Sequence, residues 1–126
     1  PAELLAEIRV PLPAGRTVFV KFGRRHANTP AVVTVAAHLT VEGGKVRDAR
    51  IALNAVGPHP IRARRAEVSL TGSALTKESI ARAASAAAEE CQPFTDAIAS
   101  EWYRRKMAAV YVDRALSQVA AQEVRP

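Results

Sequence analysis

TVFVKFGRRHANTPAVVTVA, residues 17–36, reads as a strand, a basic loop and a returning strand, and this reading decides the fold. Thr17, Phe19 and Lys21 alternate with Val18, Val20 and Phe22, so one face is mixed and the other wholly apolar. That is the period of a strand with one buried side. Gly23 then relaxes the backbone, Arg24, Arg25 and His26 gather positive charge, Asn28 favours a turn, and Pro30 removes a donor before AVVTV resumes extended structure. Charge therefore collects at a strand exit, where a rigid scaffold holds a loop in place for ligand contacts. Two readings of residues 21–29 stay open on these grounds: a site for a charged or redox-active ligand, or a solvated basic hairpin.

Upstream, EIRVPL at residues 7–12 reads as a short edge strand with Ile8 and Val10 on one face, confined by Pro11 and Pro13 and preceded by Leu4 and Leu5. Downstream, residues 31–42 alternate Val33, Val35, Ala37, Leu39 and Val41 with Thr34, His38 and Thr40, and Gly43-Gly44 makes a hairpin turn. Residues 46–56 return with Ala49, Ile51 and Leu53 on one side and Asp48, Arg50 and Asn54 on the other. His38 falls on the polar face, where a lone histidine is incidental.

From GPHP at residues 57–60 the period changes, because the prolines end the sheet. Residues 61–70 predict a short helix with Ile61, Ala66 and Leu70 inward and Arg62, Arg64, Arg65 and Glu67 outward, stopping at Thr71-Gly72. Thr76 reads as the N-cap of a second helix whose inner stripe is Ile80, Ala84, Ala87, Ala88 and Cys91. Cys91 is on this reading a small core residue. After Pro93, Ser100 caps a final helix reaching about residue 122, with Ala108, Val112, Ala115, Leu116 and Val119 as its stripe. Tyr103, Met107, Val110 and Tyr111 widen the stripe, which predicts burial on two sides, the second neighbour being a partner chain or a further domain. Trp102 and Tyr103 are expected to pack into the core. The segregated order, three or four antiparallel strands and then three helices on one face of the sheet, is that of an α+β domain.

Composition bounds the function. The 126 residues fit one domain, and 48% hydrophobic with 24% charged content is ordinary for a globular chain. One cysteine excludes an intrachain disulfide and points to a reducing, cytoplasmic setting. The three histidines, His26, His38 and His59, have no zinc-ligand spacing. No apolar run approaches the roughly 20 residues of a membrane span. Of the net charge of +6, residues 1–65 carry +7 and residues 66–126 carry −1, so the positive field belongs to the first half. Nucleic acid is not the expected partner, since only Phe22 stands beside the basic loop as a stacking group and no recognition motif is present. Nor is there a Gly-rich phosphate loop, a nucleophile elbow or a paired-carboxylate site. The chain alone is expected to be inactive.

Taken together, four segments resemble the C-terminal domain of the flavoprotein subunit of molybdenum hydroxylases, the carbon monoxide dehydrogenase and xanthine dehydrogenase family. They are ELLAEIRVP at residues 3–11, KFGRR leading into AVVTVAA, VRDARIALNAVGPHPIRARRAE at residues 46–67, and WYRRKMAAVYVDRAL at residues 102–116. The resemblance spans the whole chain and implies a small antiparallel sheet followed by three helices. It also implies that FAD is held mainly by a preceding domain or partner chain, and that the molybdenum cofactor and [2Fe-2S] clusters sit on a molybdenum subunit and an iron–sulfur subunit of a hetero-oligomer. By the same resemblance Leu5, or Leu4 if the register shifts, lies against the isoalloxazine. Lys21 approaches the ring, and Arg24 and Arg25 modulate it from a neighbouring loop. Thr29-Pro30 departs from the aspartate and apolar residue of many relatives and removes one acidic group from that loop. Residues 57–67 and Tyr103-Arg104-Arg105 match family motifs too, and read as a packed corner and a helix start with salt-bridged arginines. A stand-alone interaction or dimerisation module is the alternative from another class.

Overall fold

The computed structural model describes residues 3–11, 14–25 and 27–122. Its strands are β1 (Arg16–Gly23), β2 (Ala31–Glu42), β3 (Lys45–Asn54) and β4 (Ile61–Arg62), and its helices α1 (Arg64–Leu70), α2 (Lys77–Glu90) and α3 (Glu101–Ala121). The strands form one antiparallel sheet in the order β1-β2-β3-β4. Helix α1 packs on β3, α3 lies across β1 and β2, and α2 packs against both helices. The expected α+β order is the observed one.

Register follows from alternation. Val18, Ala37 and Ile51 lie side by side on the helix-facing side, and Phe19, Ala36 and Ala52 lie side by side on the open face. Gly43 and Gly44, both at positive φ, close the β2–β3 hairpin at 56° and 77°, a conformation that glycine adopts without a Cβ penalty. A bulge at Thr40/Val41 lets Val46 and Ala49, three residues apart, both point inward. A second irregularity pairs Phe22 with Val33 but Gly23 with Ala31, so Val32 is the extra residue.

Four expectations need correction. The fourth strand is not EIRVPL: residues 3–11 form neither helix nor strand and leave Leu4, Leu5, Ile8 and Val10 exposed. Apolar alternation makes a strand only where a neighbouring backbone completes the ladder, and no described strand flanks this segment. The fourth strand is instead Ile61–Arg62, which had been expected to be helical. Pairing with Leu53 and Ala52 outweighs helix propensity there, and the Ala63 N–H donates to Ile51 O at 2.9 Å before α1 begins. Glu67, expected outside, is buried: its Oε1 accepts from the Ile51 N–H at 2.7 Å and from Arg62 Nε at 2.7 Å. Trp102, expected in the core, is 68% exposed.

The helix boundaries follow their caps. Thr76 Oγ1 accepts from the Ser79 N–H while Ser79 Oγ accepts from the Thr76 N–H, a reciprocal box that starts α2. Ser100 Oγ accepts from the Tyr103 N–H to start α3. Arg105 Nη1 donates to the carbonyls of Ala88 and Cys91, placing a cation at the C-terminal end of α2. Helix α3 is flanked within the chain by the sheet and by α2, while Tyr103, Met107, Val110 and Tyr111, which widen its apolar face, stay only partly buried. Among the described residues no helix is long and apolar enough to cross a membrane.

Candidate functional site

Strand β1 alternates so that Phe22 turns towards the helices while Lys21 points to the open face. Phe22 lies over Tyr111 of α3, the ring centroids 4.9 Å apart and the planes inclined by 18°, and it meets Tyr103 at 6.3 Å. Those aromatic contacts fix the end of β1 against α3. Beyond them the strand opens into a recess of about 400 Å³ lined by Lys21, Phe22, Gly23, Arg24, Arg25 and Tyr111. Three basic residues and two aromatic residues thus border one small concavity.

The loop is held from several directions. A Cβ on Gly23 would come within 2.6 Å of Thr29 Cγ2 and 3.3 Å of Pro30 O, so the loop's two ends meet closely at this glycine. Asn28 takes a positive φ of 45°, and its carbonyl accepts from Arg25 Nη2 at 3.0 Å. Arg24 Nη1 reaches across to Ala97 O at 3.4 Å. Lys21, by contrast, has no hydrogen-bond or ion-pair partner among the described residues, so its charge is uncommitted. His26 lies outside the described residues, as do residues 123–126, read from sequence as a frayed end.

Leu5 and Lys21 are not brought into contact by the chain itself. Leu5 is 76% exposed and makes no part of the recess. The sequence marked Arg104 as a salt-bridged arginine at a helix start, and its pair with Asp96 bears that out; its burial was not read, the side chain being 2% exposed although it stands in the first turn of α3. Its Nη1 donates to the carbonyls of Ala31, Val32 and Ala55, at 3.2, 3.0 and 2.9 Å, and its Nη2 to both carboxylate oxygens of Asp96 at 2.8 Å. The hydrogen bonds from Arg104, followed by those from the Ala99 and Ile98 N–H groups, pull Asp96 down to about 2. The identity of the acidic partner had no such signal in the sequence, since Asp96 stands eight residues ahead of Arg104, a spacing no motif singles out.

A larger recess of about 530 Å³ lies between α2 and α3. Ala81, Ala84, Ala88 and Val110 line it together with Glu89, Arg105, Asp113 and Arg114. Its charged residues are of both signs, whereas those of the smaller recess at the β1 exit are all basic, so the smaller one is the better site for an anionic ligand.

Comparison with known proteins bears directly on this geometry. The sequence profile of the CO dehydrogenase flavoprotein C-terminal domain matches residues 18–119, which runs from within β1 through the rest of the sheet and the three helices up to Val119. The chain belongs to this family. It is 32% identical over 119 residues to the glyceraldehyde dehydrogenase medium chain of Sulfolobus acidocaldarius, covering 94% of this chain and 42% of the relative. It is 34% identical over 123 residues to the carbon monoxide dehydrogenase medium chain of Afipia carboxidovorans, covering 97% and 43%. Among solved structures, quinoline 2-oxidoreductase from Pseudomonas putida 86 superposes with a TM-score of 0.83 at 33% identity, over 88% of this chain and 39% of that one. The chain thus spans about two fifths of the length of the relatives it matches. The family's elements coincide with those built above from alternation and capping.

Proposed function

We propose that this chain is the C-terminal domain, or a separately encoded equivalent, of the FAD-containing electron-transfer subunit of a molybdenum hydroxylase. Residues 1–126 act in this reading as one domain that completes a flavin site and carries no bond-making residue. The observation that carries it is the uncommitted Lys21 ammonium beside Arg24 and Arg25, at a strand exit of a chain in this flavoprotein family. The donor set fits one part of the cofactor only. Three cations and the Phe22 and Tyr111 rings suit an electron-rich aromatic ring, whereas no glycine-rich turn among the described residues suits a pyrophosphate. The dinucleotide portion of FAD would be gripped by a preceding domain or partner chain.

FAD, when bound, takes up and releases electrons at its isoalloxazine ring. Lys21 sets a positive charge against the ring and favours its electron-rich state, which raises the reduction potential. Arg24 and Arg25 add to the same field from the loop. Leu5 would shield the ring from water once the flavin-bearing portion orders residues 3–11, whose apolar side chains have no cover in this chain. Electrons would arrive from [2Fe-2S] clusters on an iron–sulfur subunit and from a molybdenum subunit in a cytoplasmic hetero-oligomer. Relatives named as medium chains, and one named as a dehydrogenase complex subunit, support that assembly.

The test is Lys21→Ala in the flavin-containing protein. We expect a more negative flavin midpoint potential and an altered reoxidation rate with the fold intact by circular dichroism. An unchanged potential and unchanged reoxidation would overturn the role of Lys21.

A further inference from the structure

Arg104 does more than begin a helix. Burying a guanidinium carries a desolvation penalty of several kcal/mol unless its hydrogen bonds are well made. Of its donors, Nη1 and Nη2 are engaged as described and only Nε lacks a partner among the described residues. An apolar side chain of similar volume would fill the space but leave the carbonyls of Ala31, Val32 and Ala55 unpaired.

The partners of Arg104 are grouped around one loop. Ala31 and Val32 are the first two residues of β2, immediately after residues 24–30, and Val32 is the extra residue in the ladder. Asp96, the remaining partner, organises a turn: its Oδ1 accepts from the Ile98 and Ala99 N–H groups at 2.9 and 3.0 Å, and its own N–H donates to Ala99 O at 3.1 Å. Ala97 stands inside that turn, and its carbonyl is the acceptor for Arg24 Nη1. Arg104 therefore grips the place where the basic loop re-enters the sheet and, through Asp96, the turn on which Arg24 rests.

We propose that Arg104, acting through Asp96, is the positioning residue of the basic loop and fixes where Arg24 sets its charge at the flavin. The electrostatic half of this rests on the function proposed above. The mechanical half stands on the contacts alone.

Substituting Arg104 risks the fold, so the experiment uses the exposed partner. In the full flavin-containing protein, Asp96→Ala, Asp96→Asn, Arg24→Ala and the Asp96→Ala/Arg24→Ala double variant are compared by hydrogen exchange over residues 24–31 and by flavin midpoint potential. We expect Asp96→Ala to speed exchange over residues 24–31 by about tenfold, a local loosening. Asp96→Asn, which keeps one acceptor oxygen for the turn, restores most of that protection. Asp96→Ala shifts the potential in the same direction as Arg24→Ala, and the double variant goes no further than Arg24→Ala alone. Faster exchange confined to residues 94–100 overturns the mechanical half, and additive potential shifts overturn the route through Arg24. An unmoved potential in Arg24→Ala overturns the electrostatic half, whereas the flavin reading itself is decided by Lys21→Ala, and the exchange result still decides the mechanical half.

Discussion

Phe22 and Tyr111 stack with centroids 4.9 Å apart, so the residue after Lys21 is tied to the middle of the longest helix. Arg114 lies over the same Tyr111 ring, its guanidinium carbon 4.9 Å from the centroid. Strand, helix and cation thus share one aromatic platform, and the candidate recess opens beside it.

This platform is tested at Tyr111. Its hydroxyl makes no hydrogen bond among the described residues, so Tyr111→Phe should leave stability within about 0.5 kcal/mol. Tyr111→Ala should cost about 2 kcal/mol, because a half-buried ring loses its burial and its stacking partner. Urea midpoints of the two variants read the difference directly.

Glu67 joins β3, β4 and α1 through one carboxylate. Glu67→Ala would leave the Ile51 N–H buried without an acceptor and Arg62 without its ion pair, at a cost of about 2–3 kcal/mol. Glu67→Gln keeps one acceptor oxygen and should cost less, about 1 kcal/mol. Equal losses in the two variants, measured by chemical denaturation, would mean that packing and not the hydrogen bonds accounts for the effect.

Much of this was legible before any coordinates. The three long strands follow from Val33, Val35, Ala37 and Leu39 alternating against Thr34 and His38, and both long helices start at the capping residues Thr76 and Ser100. What escaped depends on long-range partners. Ile61 and Arg62 form a strand only because β3 offers an edge, and Glu67 is buried only because Arg62 and Ile51 supply donors. A charged residue in a helix reads as solvated until its partners are located, which is why Arg104, read as a salt-bridged arginine, was not read as a buried one. At the candidate site, the charge cluster at residues 21–25 was readable from type and spacing. The exposure of Leu5 was not, since an apolar residue predicts burial without saying against what.

Gly23 supplies a steric test of the loop. Gly23→Ala places a methyl 2.6 Å from Thr29 Cγ2 and should cost about 1–3 kcal/mol as an overpacking change. Thr29→Ser removes that methyl group. The double variant should therefore recover part of the loss in thermal melts, and a purely additive result would show that the clash lies instead with the Pro30 carbonyl.

Cys91 tests the core. Burial pushes its thiol up to about 11, the nearby Arg105 charge opposing only in part, and Sγ donates to Ala87 O at 3.3 Å. Only the thiolate reacts, so at pH 8 a thiol reagent should label the folded chain at least about a hundredfold more slowly than the urea-unfolded chain. Rapid stoichiometric labelling under native conditions would show that the end of α2 opens.

Asp96 should govern the acid limb of stability. Its folded-state value of about 2 lies below the ordinary 3.8, so the folded state binds this proton less readily than the unfolded state does. Stability from the Asp96–Arg104 pair is therefore complete above about pH 4 and is lost as pH falls towards 2. Asp96→Asn removes this titration while keeping an oxygen for Arg104. Its unfolding free energy should be lower than that of the parent chain at pH 6, and the two should converge as the pH approaches 2. Parallel pH profiles of urea midpoints for the two chains would show that the pair does not titrate with folding.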